Sequence, residues 1–187
     1  MSPNWLMIGG KIMKTALITG CNRGLGEGIR NVLLESGYRV IGLNRTVSNC
    51  KIDNYLEIKC DISSYKNVEK ISNQIDEKID LIVINAGIRR FNKMENMKKE
   101  DWEASVNTNL NGAFYVLNKF IENVKKAKGD IVIVGSHSEK YTFEEGSAYC
   151  STKLALKGMA ECLREELRYD DIRVMYLSIR KYKKQRS

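Results

Sequence analysis

The sequence is short of proline and histidine and has no long apolar run. Pro3 is its one proline and His137 its one histidine in 187 residues. A single histidine leaves no His-rich metal centre. The five cysteines (Cys21, Cys50, Cys60, Cys150, Cys162) form no CxxC pair. Their odd number, without an export signal, fits reduced thiols in a cytoplasm and excludes a disulfide framework. No stretch is apolar for long enough to span a bilayer. Residues 1–12, MSPNWLMIGGKI, lack the apolar core and cleavage pattern of a signal peptide. At 43% hydrophobic and 29% charged residues the chain is too apolar for disorder, and its length suits one domain with one core.

Acidic residues are also outnumbered, 23 Asp+Glu against 31 Lys+Arg, for a net charge of +8. The excess is local: five positive charges lie in residues 180–187 and one, Lys11, in residues 1–12, so residues 13–179 carry only +2. The run at the end reads as a solvated tail. A nucleic-acid arm is the alternative, but no aromatic residues are interleaved with a basic surface to support it. The chain therefore divides into an extension (1–12), a body (13–179) and a basic tail (180–187), with Met13 as an alternative start.

Within the body, strand-like and helix-like segments alternate. Residues 14–19 form a short apolar run ending at glycine, and 25–36 have helical spacing with Leu25, Ile29, Val32 and Leu33 on one face before Gly37. Strand character returns at 38–43 and 55–60, and Val68, Ile71 and Ile75 mark a helix over 65–78. Residues 80–84 and 131–134 are almost wholly apolar, as strands buried on both faces are. Residues 100–127 read as one long helix or two, 147–169 as another, and 172–179 as a sixth strand. The pattern, βαβαβ twice, predicts an α/β fold: a Rossmann-type, doubly wound parallel sheet of about six strands in three layers.

The first turn, Thr19-Gly20-Cys21-Asn22-Arg23-Gly24-Leu25-Gly26, sits between a buried strand and an amphipathic helix. Gly20 permits a tight turn. Gly24 and Gly26 let the backbone approach a pyrophosphate at the helix N-terminus. After the second strand, where an NAD-preferring fold places an acid, stand Asn44 and Arg45. An arginine there attracts a 2′-phosphate, and Arg23 can reach the same group, so the sequence points to NADP(H) ahead of NAD(H). The alternative is that both arginines are solvated loop residues.

Tyr149 and Lys153 are four apart, on one face of the helix that begins near Ser147. A neighbouring ammonium favours the phenolate and brings tyrosine, ordinarily near 10, toward neutral acid–base work. Ser136 follows the fifth strand, at the carboxyl end where ligands of such sheets collect.

These motifs together resemble the short-chain dehydrogenase/reductases over roughly residues 14–179. Gly20 to Gly26 matches the family's GxxxGxG turn, and Asp61, followed by Ile62, matches the acid that touches the adenine. Asn85-Ala86-Gly87 matches the NAG signature, Asn109 the catalytic asparagine, and Ser136, Tyr149 and Lys153 the Ser–Tyr–Lys set. The resemblance implies hydride transfer between NADP(H) and a small carbonyl or alcohol substrate. In that scheme Tyr149 handles the proton and Ser136 holds the oxygen. Lys153 acts on the tyrosine and the nicotinamide ribose, and Asn109 positions a water. It also implies a cytoplasmic homodimer packed through the helices at 100–127 and 147–169, with no nucleic-acid or membrane partner. Trp102, Phe114, Tyr115 and Met159 read as core or dimer packing. His137 reads as either a rim residue of the substrate mouth or a plain loop residue.

The resemblance breaks after Ile179. Family members continue with a Pro-Gly turn, a substrate lid, a helix and a seventh strand; here the basic tail follows, with no proline available. The expectation is a truncated or frame-shifted reading, or a naturally short paralogue. The sixth strand would then be a bare edge and the nicotinamide end under-enclosed. The alternative function is a weakly active or inactive NADP(H)-binding chain.

Overall fold

The computed structural model describes residues 13–48 and 50–180. The expected extension and all of the tail beyond Arg180 lie outside the described residues. Six strands form one sheet: β1 (Thr15–Thr19), β2 (Arg39–Asn44), β3 (Tyr55–Lys59), β4 (Leu81–Ile84), β5 (Asp130–Val134) and β6 (Arg173–Leu177). Every pairing is parallel and the order is β3-β2-β1-β4-β5-β6. The order reverses between β1 and β4, so the carboxyl ends of these two strands open the crevice in which doubly wound sheets bind ligands.

Five α-helices cover the sheet: α1 (Gly24–Glu35), α2 (Tyr65–Ser72), α3 (Lys99–Val106), α4 (Gly112–Ala127) and α5 (Ser147–Glu166). Alternate residues of each strand feed opposite faces. Leu17, Ile41, Ile82 and Ile131 pack with Val68, Val116, Phe120 and Leu156 of α2, α4 and α5. Ile18, Val40, Val83 and Val134 pack on the other side, with Ile29, Leu33 and Leu34 of α1. These are the three layers of a Rossmann-type fold. On the α1 side, Met175 and Leu177 of β6 are exposed. No helix among the described residues is long and apolar enough to cross a membrane.

The structure corrects several expectations. In α1, Leu25 and Val32 are 49% and 60% exposed. The face toward the sheet is instead built on Gly26, Ile29, Arg30 and Leu33. Gly26 sets this rotation, because its bare Cα lets the helix sit directly on the turn. α2 stops at Ser72, with Asn73 as its C-cap, and Ile75 reaches the core from the turn that follows. α5 ends at Glu166, ahead of a single 3-10 turn over Arg168–Asp170. Among the described residues no helix joins β2 to β3, so the first half lacks there the second crossover helix of a full βαβαβ unit. The 100–127 segment is two helices, α3 and α4, joined by a π-helical turn over Asn107–Asn111. Of the four packing residues, Trp102 and Phe114 face outward, while Tyr115 and Met159 pack on the core.

Candidate active site

The glycine turn is held from below by side chains that also shape it. Gly20 has φ +68°, a left-handed conformation in which a side chain is strained. A Cβ on Gly26 would lie 2.2 Å from the Gly20 carbonyl oxygen and 2.5 Å from Asn85 Nδ2. The Cys21 N–H donates to Asn44 Oδ1 at 2.8 Å. Asn44 Nδ2 donates to Tyr55 Oη (3.1 Å) and Glu57 Oε1 (3.0 Å). Arg30 donates to the Cys21 carbonyl at 3.3 Å and lies over the Tyr55 ring. Burial pushes the Cys21 thiol up, so this cysteine is a packing residue of the turn.

Asn44 ends the second strand. It borders the groove, but its amide is committed to the turn and to β3 and serves as a brace. Arg23 and Arg45 do flank the groove, exposed and without an ion-pair partner among the described residues. Asn22 Nδ2 donates to the Thr46 carbonyl, while its Oδ1 is buried with no partner among the described residues. Asp61 and Ile62 line the same groove. Asp61 Oδ1 accepts from the Ser63 N–H and hydroxyl.

Sequence reasoning passed over Thr19 as a working residue. Its buried hydroxyl accepts from the N–H groups of Asn85 and Ala86, both at 3.0 Å. Asn85 Nδ2 donates back to the carbonyls of Thr19 (3.1 Å) and Gly20 (2.8 Å). The Asn85-Ala86-Gly87 corner is thereby stapled to the glycine turn across the switch point.

Asn109 lies in the π turn and is almost fully buried. Its Oδ1 accepts from the Ile88 N–H at 2.7 Å, and its Nδ2 donates to the Ile88 carbonyl (3.0 Å) and to Thr152 Oγ1 (3.1 Å). Such turns often mark functional sites, since one extra residue re-aims a side chain.

Tyr149 and Lys153 face the sheet from α5, and Lys153 is only 4% exposed. Burial, helped by the nearby Arg89 charge and opposed by Glu139, brings the Lys153 ammonium down to about 8. Its Nζ lies 5.8 Å from the Tyr149 ring centre. Ser136 Oγ lies 2.9 Å from Ser138 Oγ and accepts from the Ser138 N–H at 3.2 Å. The Ser136 N–H donates to Glu139 Oε2, which also lies 3.0 Å from Tyr176 Oη. Burial raises the Glu139 carboxyl, but hydrogen bonds from Ser178, Tyr176 and backbone N–H groups outweigh it and hold the group below the usual range. Glu139 thus props the serine loop, a role without a sequence signal beyond its place three residues after Ser136.

Ser136, Tyr149 and Lys153 share one pocket of about 640 Å³. A groove of about 460 Å³, running from the glycine turn past Asp61, adjoins it through Leu25, Asn85 and Gly87. Leu25 is exposed because it stands at this junction. His137 lines the pocket and stacks on Tyr141 with ring centres 4.4 Å apart.

This arrangement has close parallels among known proteins. Residues 14–179 match the family model for short chain dehydrogenases. The chain belongs to the short-chain dehydrogenase family. It is 34% identical over 176 residues to a 3-oxoacyl-(acyl-carrier-protein) reductase of Buchnera aphidicola subspecies Acyrthosiphon pisum, covering 88% of this chain and 72% of the relative. It is 28% identical over 178 residues to a sepiapterin reductase of Chlorobaculum tepidum, covering 84% and 73%. A 3-ketoacyl-(acyl-carrier-protein) reductase from Brucella melitensis, solved with NADH, superposes with a TM-score of 0.81 at 26% identity, over 88% of this chain and 74% of that one. An alcohol dehydrogenase from Thermococcus sibiricus, solved with 5-hydroxy-NADP, gives a TM-score of 0.81 at 26% identity, over 89% and 75%. Short-chain dehydrogenases of this kind are oxidoreductases built on a nucleotide-binding Rossmann sheet.

Proposed function

We propose that this short-chain dehydrogenase is an NADP(H)-dependent reductase of small carbonyl compounds, reversible toward the alcohol. The observation that carries the reading is buried Lys153, one helical turn from Tyr149, where the glycine-turn groove opens into a pocket. The groove fits a dinucleotide. It offers a cradle that a Cβ on Gly26 would fill, an unpartnered buried acceptor at Asn22 Oδ1, and the free N–H groups of the first turn of α1. The backbone N–H groups of Gly24 and Leu25 would hold the pyrophosphate end, and Arg45 with Arg23 a 2′-phosphate. Asp61 and Ile62 would hold the adenine, and Asn85, Ala86 and Gly87 would form the floor.

When bound, the nicotinamide supplies or accepts the hydride. The chain's residues do the rest. Tyr149 donates the proton to the carbonyl oxygen on reduction and takes it back on oxidation. Ser136 hydrogen-bonds that oxygen. Lys153 keeps two N–H donors beyond the one given to Val134, so it can hold a ribose hydroxyl while its charge favours the phenolate. Asn109 fixes the strand-to-helix corner beside it. The outward faces of α4 and α5, where Phe114 and Leu154 stand exposed, suit a homodimer contact.

The test is NADPH oxidation against a carbonyl panel, with cofactor binding followed separately by fluorescence. Tyr149→Phe is expected to lower turnover about 10²- to 10⁴-fold, the usual range for a general acid, with NADPH binding retained. NADPH binding without turnover on any carbonyl would instead favour a cofactor-binding chain.

A further inference from the structure

The pocket beside Tyr149 carries a charge pattern that the reductase reading does not use. Its charged lining residues are Arg89, Lys153 and Arg180, and no aspartate or glutamate lines it among the described residues. Neighbouring cations on the same loop are paired: Arg90 with Asp101 at 3.1 Å and Lys93 with Glu144 at 3.4 Å. Arg89 has no ion-pair or hydrogen-bond partner among the described residues. Its guanidinium lies over the Tyr149 ring, 5.8 Å from the centre, the same distance as Lys153 Nζ.

We propose that Arg89 is the carboxylate anchor of this pocket and that the substrate is a short oxo acid, reduced to the corresponding hydroxy acid. The inference rests on the reductase reading. Arg89 follows Ile88, whose N–H and carbonyl are both clamped by Asn109, so its stem springs from fixed backbone. That is the preorganisation a carboxylate anchor needs, and a guanidinium offers the matching two-pronged geometry. Phe91 packs edge-to-face with both Phe143 (5.2 Å) and Tyr149 (5.9 Å), giving an apolar wall that suits a short carbon chain. The Arg89 charge works against that of Lys153, and an anion bound beside them would offset it. The phosphates of a dinucleotide have their own arginines at the far end, Arg23 and Arg45. The reaction balances simply. The carbonyl carbon gains a hydride from the reduced nicotinamide and its oxygen gains a proton from Tyr149, while the carboxylate stays unchanged.

The experiment compares 2-oxobutanoate and 3-oxobutanoate with their neutral amides, on wild type and on Arg89→Gln. Calorimetry of the same acids on the NADP⁺-loaded protein is run in parallel. Arg89→Gln is expected to lower kcat/KM for the acids about ten- to a hundredfold, as loss of a charge-assisted pair does, and to weaken their binding in step. The preference for acid over amide should fall by the same factor, whatever Arg89 does to Lys153, and the NADPH dissociation constant should be unchanged. Equal effects on acids and amides, wild-type preference for the amides, or a change confined to NADPH affinity would overturn the assignment. If nothing is turned over, calorimetry decides: no acid binding, or equal binding by the variant, also overturns it. Failure of the reductase reading itself looks different, with Tyr149→Phe as active as wild type or NADPH not bound at all.

Discussion

Lys153 Nζ donates a 2.9 Å hydrogen bond to the carbonyl oxygen of Val134, the last residue of β5. That bond fixes the ammonium over the end of the sheet, at the level of Ser136 and one turn from Tyr149. It also commits a positive charge to a nearly dry position. Burial, with Arg89 adding to it and Glu139 opposing it, brings the group to about 8 from 10.5.

The first prediction concerns the cost of that placement. A lysine whose folded value is depressed binds fewer protons folded than unfolded between the two values. Stability therefore rises with pH across that window, and the penalty is fully present below about 8. Its size is about 3 kcal/mol, taking 1.36 kcal/mol per pKa unit. Lys153→Met keeps the stem and removes the charge. It should be more stable than wild type at pH 7, with the gap closing as the pH approaches 10.5, while turnover is lost. Denaturant melts of both proteins at pH 7 and pH 10 check this. A variant equally destabilised at both values would show that Lys153 serves packing instead.

Much of this placement was readable in advance, for physical reasons that also mark where reading stopped. Residues 81–84, Leu-Ile-Val-Ile, announce a strand buried on both faces because no other element tolerates that run so briefly. Tyr149 and Lys153 share a face through helical geometry alone. The rotation of α1 was misjudged because periodicity weighs Leu25 above Gly26, whereas the close approach to the Gly20 carbonyl makes the glycine the contact residue. In sequence, Asn44 is only the non-acidic residue that ends the second strand. Its commitment to the Cys21 N–H and Glu57 depends on a parallel neighbour, β3, whose register no local pattern reveals. The clamp of Asn109 on Ile88 spans 21 residues and the staple of Asn85 on Gly20 spans 65. Bonds of that reach appear only once the chain is folded.

The second prediction tests the cofactor. Arg23 and Arg45 both border the groove as exposed cations without ion-pair partners among the described residues. Neutralising them (Arg23→Gln with Arg45→Gln) should weaken NADPH binding about ten- to a hundredfold, the range for charge-assisted phosphate pairs, and leave NADH nearly unchanged. Equilibrium fluorescence titration with each nucleotide reads the ratio directly. Equal losses for NADPH and NADH would mean that the arginines contact parts common to both.

The third prediction separates the two jobs of Asn109. Its amide clamps both backbone groups of Ile88 and also donates to Thr152 Oγ1, whose hydroxyl in turn donates to the Tyr149 carbonyl at 2.8 Å. Thr152→Val removes the link from Asn109 to α5 and the bond to the Tyr149 carbonyl, and leaves the Ile88 clamp. Asn109→Leu removes the link and the clamp, leaving the Ile88 N–H and carbonyl without their partner, at about 1–3 kcal/mol of stability. Thr152→Val should cost about 1 kcal/mol, with turnover reduced because the helix carrying Tyr149 is less firmly placed. The double variant should lose less stability than the sum of the two single changes, since both remove the Asn109–Thr152 bond. Strictly additive losses in the double-mutant cycle would show that Asn109 and Thr152 act separately, and that the π turn does not couple the β4 corner to the catalytic helix.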